Sequence, residues 1–240
     1  MAGEGAVLTV RGEATRRVTP DTAVLTGSIV RTESSKAEAL AAVAAAQGRL
    51  TGELAGLGAV PLTPETENEA LTWSAYSAST QPETQYNTRT SRHEESGRVI
   101  ATVRVMLAAR DLSRLKDLSS AIAHHEEFHL HQVSWQVDDG NPGWTAVRRD
   151  AIHAAVRKAR DYADALGASV TSVEQVADTG LLEDRPSVDM VAGSAPMALA
   201  SRAALGPEDA PDAPSLDPIP QELWAVVEAR FRTSPATLQG

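Results

Sequence analysis

The chain has 240 residues, 22 Lys and Arg against 32 Asp and Glu for a net charge of −10, and no cysteine. That length supports a proper core, while zero cysteine excludes disulfides, thiolate metal sites and thiol nucleophiles. The acidic balance argues against a protein that coats nucleic acid, whose affinity rests on clustered Lys and Arg, and with 4% aromatics the core must rest on Val, Leu, Ile and Ala.

Residues 6–18 and 22–33 read as strands, because Leu8, Val10 and Gly12, then Ala23, Leu25, Gly27 and Ile29, alternate with their neighbours. Thr19-Pro20-Asp21 separates them as a turn. Ser35-Lys36-Ala37-Glu38 is a capping-box pattern, and the helix it opens runs through Leu40, Val43 and Leu50 to a stop at Gly56 and Gly58. Residues 62–73 read as a half-exposed strand with Glu65, Glu67 and Glu69 on one solvated face, and 74–97 as a long polar hairpin tip. Arg98 to Leu107 is the clearest strand, with Val99, Ala101, Val103 and Val105 on one side and Ile100 and Met106 on the other.

Asp111 caps a second helix whose stripe is Leu112, Leu115, Leu118 and Ile122. Phe128 to Val137 reads as a strand closed by the turn residues 138–143. A third helix over about 143–166 carries the stripe Trp144, Ala151, Ala155, Ala159, Tyr162 and Leu166, and Thr171 to Ala177 follows as a strand. Seven of the thirteen prolines then fall between Pro186 and Pro220, so 181–221 reads as a Pro/Ala-rich acidic arm or insertion. Leu223 to Phe231 alternates as a final strand. The order ββαββαβα-β-arm-β gives an α+β class, mostly antiparallel sheet packed by three helices.

Three stretches in order resemble the SIMPL-domain family: Val10-Arg11-Gly12-Glu13-Ala14 with Pro20-Asp21-Thr22-Ala23; the alanine-rich helix from Ala151 to Leu166-Gly167; and Pro218-Ile219-Pro220-Gln221-Glu222-Leu223 before the last strand. Gln221 stands where glycine is common in the family. The resemblance implies one domain over 1–240, with a core at about 7–180 plus the strand 222–233, and a tendency to form ring-like or channel-like homo-oligomers. It also implies a link to oxidative stress with no agreed catalytic residues. Bacterial members are typically periplasmic. Here Glu4 and the arginines Arg11, Arg16 and Arg17 interrupt any signal-like apolar stretch, so a cytoplasmic, soluble protein without a membrane span is expected. Without cysteine, protection against oxidants would have to run through methionine or metal.

Four of the six histidines lie in His124-His125-Glu126-Glu127-Phe128-His129-Leu130-His131. His125-Glu126-x-x-His129 has the zincin spacing, whose chemistry needs both histidines on one helical face with Glu as general base. The stretch straddles a helix-to-strand junction, where residues i and i+4 no longer stack. A weaker metal reading keeps His125, His129 and His131 as ligands of a transition metal, since His129 and His131 sit two apart on a strand. The plain alternative is a polar strand start that gains charge between pH 5 and 7.

Arg148-Arg149, Arg89/Arg92 and the His153/Asp150 pair read as ordinary surface groups. Trp73, Trp135, Trp144 and Trp224 lie in separate elements and read as core or interface anchors. No catalytic residue and no cofactor is assigned. The expectation is a non-enzymatic, self-assembling binding or scaffold protein, with Met190, Met197, Leu199 and Leu205 of the arm as subunit-wrapping residues. The alternatives are a metal-binding protein or metal-dependent hydrolase on the histidine cluster, and a small-molecule binder beneath the hairpin.

Overall fold

The structure, a computed structural model, describes residues 5–182 and 216–237. The arm residues Met190, Met197, Leu199 and Leu205 lie outside the described residues. The chain forms two compact units, each α+β and each built of a sheet with helices on one face.

One unit is the sheet β1-β8-β7, antiparallel throughout, with β1 at Val7–Val18, β8 at Gln221–Thr233 and β7 at Val170–Asp178. The helix α3, Pro142–Ala165, opens on Asn141, whose side chain accepts from the Gly143 amide, and has proline in its first turn. Its alanines Ala151, Ala155 and Ala159 are fully buried against Val10, Val227, Ala229 and Phe231. Small side chains let helix and sheet approach closely. Gly12 completes the fit, because a Cβ there would lie 2.1 Å from the Ala151 carbonyl oxygen and 2.5 Å from the Ala155 amide.

The other unit is the sheet β3-β4-β5-β2-β6. Its strands are β2 at Thr22–Glu33, β3 at Val60–Pro61, β4 at Leu71–Asn87, β5 at Arg92–Ala109 and β6 at Phe128–Gln136. Two helices, α1 at Lys36–Gly56 and α2 at Leu115–His124, cover one face. Ser35 caps α1 by accepting from the Glu38 amide. Asp111 accepts from the Ser113 amide and opens a single 3-10 turn that leads into α2. Leu25, Ile29, Val43, Leu50, Leu54, Val103, Val105, Leu107, Leu115, Leu118 and Phe128 form the core beneath the helices.

Two expectations change. Residues 62–70 are turn and loop, not strand, so Glu65, Glu67 and Glu69 do not share a strand face. Pro64 lacks a ladder donor, and Thr66 staples the segment as a turn. Its hydroxyl donates to the Pro61 carbonyl at 2.6 Å and accepts from the Thr63 amide at 2.8 Å. The polar stretch 74–97 is mostly strand; only Thr88–Ser91 turns, with Ser91 at φ 51°. Cross-strand polar pairs hold this ribbon in water, among them Asn87 to Glu94 at 2.8 Å and Ser96 to Glu83 at 2.6 Å.

Among the described residues, no helix is long and apolar enough to cross a membrane.

Candidate functional site

The histidine-rich segment spans three local environments. α2 ends at His124, β6 begins at Phe128, and the Phe128 amide donates to the His125 carbonyl at 3.0 Å to close the turn between them. The helical spacing that a zincin motif requires is therefore broken between His125 and His129. His124 is exposed and donates from Nδ1 to the Ser120 carbonyl at 2.6 Å, a local helix-end contact. His125 is buried at 5% exposure. His129 and His131 are exposed on β6.

β6 carries a bulge where its register against β2 shifts between Thr26 and Gly27. Leu130 pairs with Gly27 and Gln132 with Thr26, so His131 is the extra residue. The His131 Nε2 lies 2.8 Å from the buried Ser28 Oγ. The bulge thus interrupts the two-residue period that was to set His129 and His131 side by side. Among the described residues, no group of three or more His, Asp or Glu is gathered to hold a metal ion.

What the fold does gather is an ion-pair cluster. Glu127 Oε1 accepts from Arg31 of β2 at 2.9 Å and from Arg49 of α1 at 2.5 Å. The Arg49 hydrogen bond is the main reason the Glu127 carboxyl is held below the usual carboxylate range, against the opposing effect of burial. Glu127 thereby ties helix, central strand and edge strand together. A depressed carboxyl contributes stability above its unfolded pKa of about 4.3 and loses it as pH falls through the lower folded value. Glu127→Gln should lower stability at pH 7 by about 1 kcal/mol, since both arginines keep part of their charge in water. It should also flatten the loss of stability below about pH 4, measured as Tm against pH.

Beside this cluster, Ser119, Ile122, Ala123, Phe128, Leu130 and Leu216 line a cavity of about 210 Å³. Phe128 also packs where Gly27 has no side chain, since a Cβ there would lie 2.3 Å from the Phe128 ring. The cavity is mainly apolar. Its one side-chain hydroxyl, on Ser119, already donates to the Lys116 carbonyl at 2.9 Å. The sequence pattern points to the histidines and not to Arg31 and Arg49, because no local signal joins residues 31, 49 and 127.

Several of the remaining candidates have structural partners. Asp150 pairs with Arg16 at 3.0 Å, and Arg148 stacks over the Trp144 ring at 5.7 Å. Glu65 is exposed, with its carboxyl lowered chiefly by a hydrogen bond with Thr63. Trp73 and Trp135 pack against the five-stranded unit's core, whereas Trp224 is 60% exposed.

The model of one family, SIMPL, described as a protein of unknown function (DUF541), matches residues 8–231. No curated protein matches the chain. The described sheets and helices run through that same span, and the chain belongs to the SIMPL family.

Proposed function

We propose that this protein is a non-enzymatic binding protein that assembles with a second copy of itself through the β6 edge. The observation that carries this reading is the chemistry of that edge. β6 reads Phe-His-Leu-His-Gln-Val-Ser-Trp-Gln, nine residues without one Asp, Glu, Lys, Arg or Pro. Edge strands are normally protected by such residues. The other open edges carry such residues: β1 has Arg11, Glu13, Arg16 and Arg17, β7 has Glu174 and Asp178, and the β3–β4 side has Pro61, Pro82 and Glu83.

In a chain of net charge −10, association is favoured where no like charges meet. The bulge at His131 twists the first half of β6 away, leaving Gln132–Gln136 as the pairing stretch. That stretch is self-complementary. A twofold antiparallel pairing centred on Ser134 sets Gln132 opposite Gln136 and Val133 opposite Trp135, a β-branched and aromatic pair.

The non-enzymatic part of this reading rests on the described residues, where Glu127, Arg31 and Arg49 pair with one another and the cavity beside them is lined mainly by apolar side chains.

Light scattering at about 100 µM should give a dimer or larger species, and Gln132→Lys/Gln136→Lys should give a monomer with unchanged circular dichroism. A monomeric native chain would overturn self-assembly. An assembled variant would overturn the β6 edge.

A further inference from the structure

Val103 and Val105 of β5 point into the core beneath α1 and α2, so Arg104 between them projects from the opposite face of the sheet. Strand register sets it in a row across four strands. Ser77 of β4 lies opposite Arg104 on one side and Ser28 of β2 on the other, and His129 of β6 lies opposite Ser28. Opposed residues share a face, about 4.8 Å apart from strand to strand. His131 joins the row through its Nε2, which lies 2.8 Å from the Ser28 Oγ.

Arg104 is exposed and, among the described residues, has no hydrogen bond or ion pair through its side chain. It stands out in a chain with 32 Asp and Glu. Arg11, Arg16, Arg31, Arg49, Arg110 and Arg232 each meet a carboxylate. The reason is local. On one side of the Arg104 row, Met106 lies between Ser74 and Thr26, with Gln132 beyond; on the other, Thr102 lies between Ser79 and Val30. None of these three rows holds Asp or Glu. Glu127, the carboxylate nearest to His129 along the chain, is held on the helix side by Arg31 and by Arg49 of α1.

We infer that Arg104 is the centre of an oxyanion-binding site on the face of the five-stranded sheet away from α1 and α2, taking the phosphate or carboxylate group of a small ligand. The planar guanidinium offers two parallel N–H donors that match two oxygens of either group. The hydroxyls of Ser77 across the ladder and Thr102 two residues back on β5 flank it as neutral donors. With a net charge of −10 the chain repels anions in general, so a face whose central rows carry only Arg and His is where one can approach. The site stands whether or not the β6 edge pairs with a second copy, since its anchor lies on β5.

Amide NMR spectra of the whole chain test this by titration with sodium phosphate and, separately, sodium succinate, each against sodium chloride of equal ionic strength. At pH 8 an ordinary imidazole is neutral, which leaves the guanidinium as the cation read. At least one of the two anions should move the amides of Ser28, Ser77 and Arg104 along a saturable curve, and the arm that saturates names the source of the oxyanion. Arg104→Gln, an exposed substitution, should weaken that binding by about tenfold or more, the scale of hydrogen bonds to a charged group. Arg89→Gln, at the turn between β4 and β5, should leave it unchanged. Shifts no larger than those with chloride in both arms would overturn the site. So would binding that survives Arg104→Gln, or that falls equally in Arg89→Gln, because the anion would then be answering to surface charge alone.

Discussion

Phe231→Ala should lower the stability of the three-stranded unit by about 3–5 kcal/mol, the usual range for truncating a fully buried phenylalanine. The chain has two phenylalanines, and the fold places one in each core, Phe128 under α2 and Phe231 under α3. Phe231 is 1% exposed and packs among Val10, Ala151, Ala155, Ala159, Val227 and Ala229. None of these neighbours is large enough to fill the space an alanine would leave. The loss therefore combines removal of apolar surface from burial with a residual cavity. Urea unfolding followed by tryptophan fluorescence measures it, since Trp144 and Trp224 belong to the same unit. A loss below 1 kcal/mol would mean that the cluster is not packed as described.

Gly12→Val should cost about 3 kcal/mol, at the upper end of overpacking effects, even though valine is the better strand residue. The added carbons meet the backbone of α3 at Ala151 and Ala155, and a helix backbone cannot rotate aside as a side chain does. Relief requires α3 to lift from the sheet, which opens the contacts of all three alanines at once. Gly48→Ala is the matched control. Gly48 lies inside α1, and a Cβ there meets nothing within 4 Å. That change should stabilise by about 0.5–1 kcal/mol through helix propensity and the unfolded-state entropy of glycine. Opposite signs from two glycine replacements, read by the same urea titration, separate close approach from conformational freedom.

These contrasts track what was legible in the chain. The cap of α1, the Asp111 turn that leads into α2 and the alanine stripe of α3 rest on contacts within one or two turns, so the residues announce them. Ser35, Asp111 and the buried alternation Ala101, Val103, Val105 of β5 are of this kind. The segment at 62–70 misled because alternating glutamates imitate a strand, while the hydroxyl of Thr66 supplies a competing set of backbone partners. The ribbon over 74–97 was underestimated because it carries polar residues on both faces, which erases the period that marks a half-buried strand.

The histidine cluster illustrates the same division at the candidate site. Its crossing of a helix-to-strand junction was readable from Ile122 ending one pattern and Phe128 starting another. That His125 would be buried and unpaired, that His131 would be a bulge residue beside Ser28, and that Glu127 would be held by Arg31 and Arg49 was not. Each depends on residues 78–103 positions apart meeting in the fold.

By itself, then, the sequence determined most of the elements and their ends, part of their buried faces and membership of the SIMPL family, whereas Leu40 and Tyr162 of the expected stripes are exposed. Only the tertiary structure decided the partners. β1 and β2 follow one another across a three-residue turn, yet β1 pairs with β8, more than 200 residues away, and β2 pairs with β5 and β6. Local pattern fixes which face of a strand is apolar, but a strand's neighbour is set by which distant faces can be buried together. Once those faces meet, Gly12 and Gly27 allow α3 and Phe128 to approach closely.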